Sequence, residues 1–162
     1  EVMFKSPTPA PDDVRAQAIE RLAALVANGI VLGLAAQDAH WNVKGASFGP
    51  LHDLFGEVYA TAQSLVDRLA ERIATLGGAP MGLAVVGSRP ALADQAAGMG
   101  SPDGIALCGR LLELLTAYVA MVDEAYRAAE GLRLAADANA LQDAVETLGK
   151  LGWKLAAHTE RA

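Results

Sequence analysis

The chain has 162 residues, of which 52% are hydrophobic, 20% charged and 5% aromatic. At this size and apolar content it is expected to bury about two-thirds of its unfolded surface as one domain, which excludes disordered and collagen-like classes. A net charge of -6 argues against diffuse attraction to nucleic acid or an anionic membrane, and a lone cysteine, Cys108, excludes an internal disulfide framework and suits a reducing compartment.

Residues 1–11, with Pro7, Pro9 and Pro11, are expected to form an extended arm ahead of a single domain over residues 12–162. The opening residues lack the charged start and apolar stretch of a secretory signal, and beginning on Glu rather than Met leaves room for a segment upstream. Asp12 and Asp13 put negative charge at the positive end of a first helix that runs to about Trp41. Its apolar stretch Leu22 to Ala36 contains Asn28, Gly29 and Gly33 and falls short of the ~20 residues of a membrane span. Leu22, Leu25, Val26, Ile30, Leu32 and Leu34 nevertheless surround the helix, which predicts burial on two sides. Gly29 and Gly33, one turn apart, permit close approach of a neighbour, either within the chain or from another subunit.

A turn at Lys44 to Ser47 leads to Pro50 in the first turn of a second helix, which Gly77, Gly78 and Pro80 stop after Leu76. Residues 77–101 are rich in Gly and Pro, with a short helix expected from Pro90 through Gln95 and two further alanines. The Val85-Val86 pair is too short for a strand. Ser101, Pro102 and Asp103 read as the cap, first-turn proline and early acid of a third helix to about Glu130, and a fourth runs from Asp137 to about Glu160. Two short connections flanking a long one predict an all-α, ferritin-like four-helix bundle with a single crossover.

There are three histidines, His40, His52 and His158, and no Glu precedes a His by three positions. The usual di-iron site inside one bundle, with a Glu-x-x-His pair on each of two helices, is therefore excluded. His40 ends the first helix and His52 lies in the first turn of the second, so the two can converge. Asp67 and Glu71 share a face of the second helix, and their mutual repulsion suits an intervening cation, although Arg68 and Arg72 also allow an ordinary salt-bridged surface. His52 and Asp67 are separated by roughly 22 Å along one helix at 1.5 Å per residue, so a single chain cannot close a site around both. An antiparallel partner in a two-fold dimer can, and would repeat the site at the far end of the interface. Imidazole with carboxylate suits iron, zinc or manganese better than calcium.

The run from Ala39 through His40, Trp41, Asn42, Val43, Lys44 and Gly45, followed by Phe48, Leu51, His52, Asp67, Ala70, Glu71, Arg72 and the Leu76-Gly77-Gly78 stop, resembles the Dps family of mini-ferritins. The resemblance covers residues 39–80 closely, the first helix and the segment from Trp153 to His158 more loosely, and the crossover hardly at all. It implies a cytoplasmic homododecamer, in some cases nucleoid-associated, that oxidises ferrous iron with hydrogen peroxide or dioxygen, stores the ferric mineral and protects DNA. It implies His40 and His52 as ligands from one subunit and Asp67 and Glu71 from its partner, with Glu71 bridging. Trp41 would lie near the iron, as an electron donor or an apolar anchor, and Trp153 would be a packing aromatic. The family's further carboxylate falls at Gly56, a departure that neither Asp53 nor Glu57 repairs, because each points elsewhere around the helix. The second reading is accordingly a structural oligomer with an impaired site that holds zinc or no metal. With Lys5 and Arg15 the only basic residues in the first fifteen, direct DNA binding is expected to be weak or absent.

Overall fold

A computed structural model describes residues 3–82 and 90–160. Four helices account for most of them: α1 (Asp12–Asn42), α2 (Phe48–Thr75), α3 (Gly104–Gly131) and α4 (Ala135–Thr159). The chain turns tightly at residues 43–47 and 132–134, so α1 pairs with α2 and α3 with α4, while α1 also meets α3 and α2 meets α4. Contacts between distant residues fix the directions. Lys44, after α1, donates its amide to Pro102 just before α3, so these two helices run antiparallel. Glu57 early in α2 binds Lys154 late in α4, whereas Arg72 late in α2 binds Asp137 early in α4, so that pair is antiparallel as well. The expected ferritin-like bundle with one crossover is the observed fold.

Leucine and alanine at helical spacing fill the centre between the four rods. Leu32, Leu51, Phe55, Val58, Leu69, Leu107, Leu111 and Leu155 are all fully buried. Two polar groups satisfy their bonds inside this core. The Tyr118 hydroxyl donates to Leu25 O at 3.0 Å, and Asn28 donates through Nδ2 to Ala24 O at 2.9 Å while its Oδ1 accepts the Leu92 amide at 2.8 Å. Asn28 thereby pins the crossover across the middle of α1. Gly29 is an intramolecular close approach: a Cβ there would lie 2.7 Å from both the Tyr118 hydroxyl and Val66 Cγ2.

The N-terminal arm is docked rather than loose. The last carbonyls of α2 would otherwise lack partners, and three consecutive ones are satisfied from the chain's beginning: Thr75 O by Ser6 Oγ at 2.7 Å, Leu76 O by Arg15 Nη1 at 2.8 Å and Gly77 O by the Phe4 amide at 2.7 Å. Gly77 turns here with φ of +93°, and a Cβ would strike the Phe4 carbonyl.

Several expectations are corrected. The short helix expected from Pro90 is instead a series of turns over residues 91–100. Ala93 and Ala97 close i+3 bonds to Pro90 and Asp94, Leu92 is held by Asn28, and Gly98 breaks the path at φ +87°. The cap of α3 is Asp103, whose Oδ1 accepts from the amides of Ile105 and Ala106, while Ser101 Oγ accepts from the amide of Asp103 itself. Trp153 is 68% exposed and Trp41 65%, so neither packs into this chain's core. By length and apolar composition α1 and α3 would each reach across a bilayer, contrary to the shorter estimate for α1, yet both contribute buried residues to the core of the bundle. The Val85-Val86 pair lies outside the described residues.

Candidate metal centre

The turn at residues 43–47 brings the last turn of α1 onto the first turn of α2. Buried Val43 and Leu51 anchor the corner and Gly45 supplies the positive φ of +98° that it needs. At this corner His40 and His52 stack, with ring centroids 3.6 Å apart and planes inclined by 21°. Each ring also binds the other's main chain: His40 Nδ1 lies 2.7 Å from His52 O, and His52 Nδ1 lies 2.9 Å from His40 O. A carbonyl oxygen only accepts, so both Nδ1 atoms carry hydrogen. In the neutral form of each imidazole Nε2 then holds the lone pair, and neither Nε2 has a hydrogen-bond partner among the described residues. This main-chain support is the kind that orients an imidazole to ligate a metal through its other nitrogen. The rings are half-buried, shielded yet reachable.

Gly56 faces this pair. A Cβ at that position would sit 3.2 Å from His40 Nδ1 and 3.3 Å from its Cε1, so the His40 ring packs tightly against the glycine and a side chain there would have to displace it by a few tenths of an ångström. Neighbouring acids do not stand in for a side chain there. Glu57 is engaged by Lys154, whose Nζ donates to both carboxylate oxygens at 2.7 and 2.6 Å. Asp53 lies with Glu57, Trp153 and His158 along a separate groove beside α4.

Asp67 and Glu71 lie far along α2 and are exposed. Among the described residues no three of His, Cys, Asp and Glu converge as a metal site within the single chain, which agrees with the helix-length argument. The arginines expected as possible partners of these acids are turned away: Arg68 binds Asp143 at 2.9 Å, and Arg72 holds the buried Asp137 through Nε at 2.9 Å and Nη2 at 3.2 Å. Asp67 and Glu71 form no ion pair among the described residues. Asp67 borders an open groove of about 290 Å³, lined chiefly by apolar groups including Gly33, Leu34, Tyr59 and Val66. Leu34 is 55% exposed there, so the second apolar side expected of α1 is left uncovered at this position by the described residues. The contact of Phe48 with His52 was not anticipated, although their i, i+4 spacing on α2 is a legible signal. The reciprocal carbonyl bonds have no sequence signal, since every residue has a carbonyl.

The fold and this corner define a ferritin-like protein, and the chain belongs to that family: the ferritin-like domain model matches residues 19–162. Within it, the resemblance to Dps proteins holds. The chain is 45% identical over 56 residues to the DNA protection during starvation protein of Brevibacillus brevis, a match covering 35% of this chain and 38% of that relative. It therefore spans little more than a third of that curated relative. Solved structures align over nearly the whole length: DpsA14 from Streptomyces coelicolor with 27% identity, TM-score 0.89 and coverage of 100% of this chain and 96% of the other. The Dps protein of Vibrio cholerae O1, described as a member of a superfamily of ferritin-like diiron-carboxylate proteins, has 23% identity, TM-score 0.85 and 99% coverage of each, and shares the fold.

Proposed function

We propose that this protein is an iron-oxidising and iron-storing mini-ferritin whose reaction sites form between two copies of the chain. Ferrous iron is substrate and cargo. His40 and His52 of one copy present Nε2, and Asp67 and Glu71 of the other supply the negative charge, with Glu71 bridging two metal positions. The observation supporting this most directly is the reciprocally bonded histidine pair, with both Nε2 atoms available and no carboxylate among the described residues converging on it. The uncovered apolar groove bordered by Asp67 supports a second copy as the source of the carboxylates.

The reaction is 2 Fe²⁺ + H₂O₂ + 2 H⁺ → 2 Fe³⁺ + 2 H₂O. Two ferrous ions held together deliver both electrons to one peroxide, which avoids the single-electron step that releases hydroxyl radical. The chain's own contribution is to hold neutral imidazoles in one tautomer and to set two carboxylates against the metal charge. Assembly as a homododecamer encloses the product, with DNA protection following indirectly from removal of iron and peroxide.

Gly56 favours a second reading, a structural oligomer whose weakened site holds zinc or nothing. Peroxide-dependent iron oxidation separates the two. Activity in the native protein that is lost in His52→Ala supports the ferroxidase, while an inactive native oligomer that retains zinc supports the scaffold. Gly56→Asp adds the missing carboxylate beside His40. A rise in rate supports a weakened second metal position, and an unchanged rate refutes it.

A further inference from the structure

Phe48 opens α2, with its amide donating to Gly45 O at 3.0 Å, and its side chain is 47% exposed. A phenyl so placed gains little from burial. Its one ring contact among the described residues is His52, with centroids 5.0 Å apart and planes inclined by 29°. His40 also stacks on His52, with centroids 3.6 Å apart. His52 is therefore stacked against two rings and offers its edge. On that edge Nδ1 is bonded to His40 O at 2.9 Å, which leaves Nε2 as the atom on offer.

We propose that Phe48 is a positioning residue that fixes the orientation of the His52 imidazole and so decides which nitrogen meets an incoming divalent cation. A half-turn about the Cβ–Cγ bond of His52 would put Cδ2 opposite the His40 carbonyl, break the Nδ1 bond and remove the reason for that tautomer. To make the turn, the ring must swing out of both stacked contacts. Offset aromatic contacts of this kind bias a two-state equilibrium by roughly threefold to tenfold. The half-exposed position of Phe48 makes it a lever on His52 rather than a core residue, so its removal is expected to leave the bundle intact. This role rests on reading His52 as a metal ligand, but the tautomer itself is measurable without metal.

The test uses the full chain labelled with ¹⁵N-histidine, which carries only three imidazoles, in solid-state NMR near pH 8, together with cobalt(II) titration. Native protein and Phe48→Tyr, which keeps the ring, are expected to show His40 and His52 wholly as the Nδ1–H form. Phe48→Leu keeps apolar bulk without the ring. It is expected to show a mixed Nδ1–H and Nε2–H population for His52, an unchanged His40, and cobalt(II) affinity lowered in proportion to the Nδ1–H fraction that remains, at unchanged thermal midpoint. Phe48→Leu with the native tautomer pattern and native cobalt affinity overturns the proposal, and so does failure of Phe48→Tyr to restore both. Native protein that takes up no cobalt(II) overturns the metal reading instead, and the tautomer comparison then still decides whether Phe48 orients the ring.

Discussion

Complementation between two inactive chains gives the sharpest test of a shared site. One chain carries His40→Ala and His52→Ala, the other Asp67→Ala and Glu71→Ala. All four positions are half-buried or exposed, so loss of the reciprocal histidine bonds costs only about 1 kcal/mol each and both variants should still fold. Each alone has no intact site. With roughly 22 Å of α2 between His52 and Asp67, no single chain can supply both halves. In a mixed two-fold dimer one site joins two defective halves and the other joins two intact halves. Random pairing at equal amounts makes half of the dimers mixed, so about one quarter of all sites should be complete. The variants are co-expressed with different tags and purified, and peroxide-dependent ferrous oxidation is followed by the absorbance of the ferric product. Activity near one quarter of native supports the shared site. Mixed oligomers, proven by recovery of both tags, with no activity above either parent would refute it.

Other outcomes follow from the packing. Gly29→Ala places a methyl 2.7 Å from the Tyr118 hydroxyl and Val66, and thermal or urea unfolding should show a loss of about 1–3 kcal/mol; Gly33→Ala, whose Cβ has its nearest neighbour at 3.6 Å, should be tolerated. Asp137 is 2% exposed and bonded twice to Arg72, so Asp137→Ala leaves the part-buried guanidinium unpaired and should cost about 1–3 kcal/mol, while the exposed Arg68 and Asp143 pair should contribute less than about 1 kcal/mol when either is removed. Burial pushes the Cys108 thiol from 9.0 up to about 11. It should therefore resist thiol reagents at pH 8 until the protein unfolds. The folded state holds this proton more tightly than the unfolded chain does, so the group's contribution to stability is complete below pH 9 and is lost as pH rises toward 11, which urea unfolding across that range would report.

The proposed iron chemistry and DNA binding are separable. A mobility-shift assay at low salt should show weak or no retention of DNA, since Lys5 and Arg15 are the only basic residues of the first fifteen and Arg15 is buried against α2. Tight binding under those conditions would contradict the charge argument.

Much of the bundle was readable because helix spacing and punctuation are local. Asp12 and Asp13, the Gly77-Gly78 stop and the small-residue turn near Gly45 set the rods within a residue or two of their observed ends. The separation of His52 from Asp67 was likewise readable, because rise per residue is a constant of the helix. The crossover was not. Its alanines favour helix, but a side chain distant in sequence, Asn28, captures the Leu92 amide and turns take the place of the short helix.

Residue order alone therefore settled which stretches are rods, which of their faces are apolar, and that one copy cannot bring all four ligand candidates together. Tertiary structure decided what each polar group faces. It stacked His40 on His52 with exchanged carbonyl bonds, turned Arg68 and Arg72 toward α4 instead of toward Asp67 and Glu71, tied Glu57 to Lys154, and left Leu34 and both tryptophans uncovered. The reason is range. Periodicity and capping act within a few residues along one helix, whereas the partner of a long charged side chain or of a main-chain carbonyl depends on how separate helices meet.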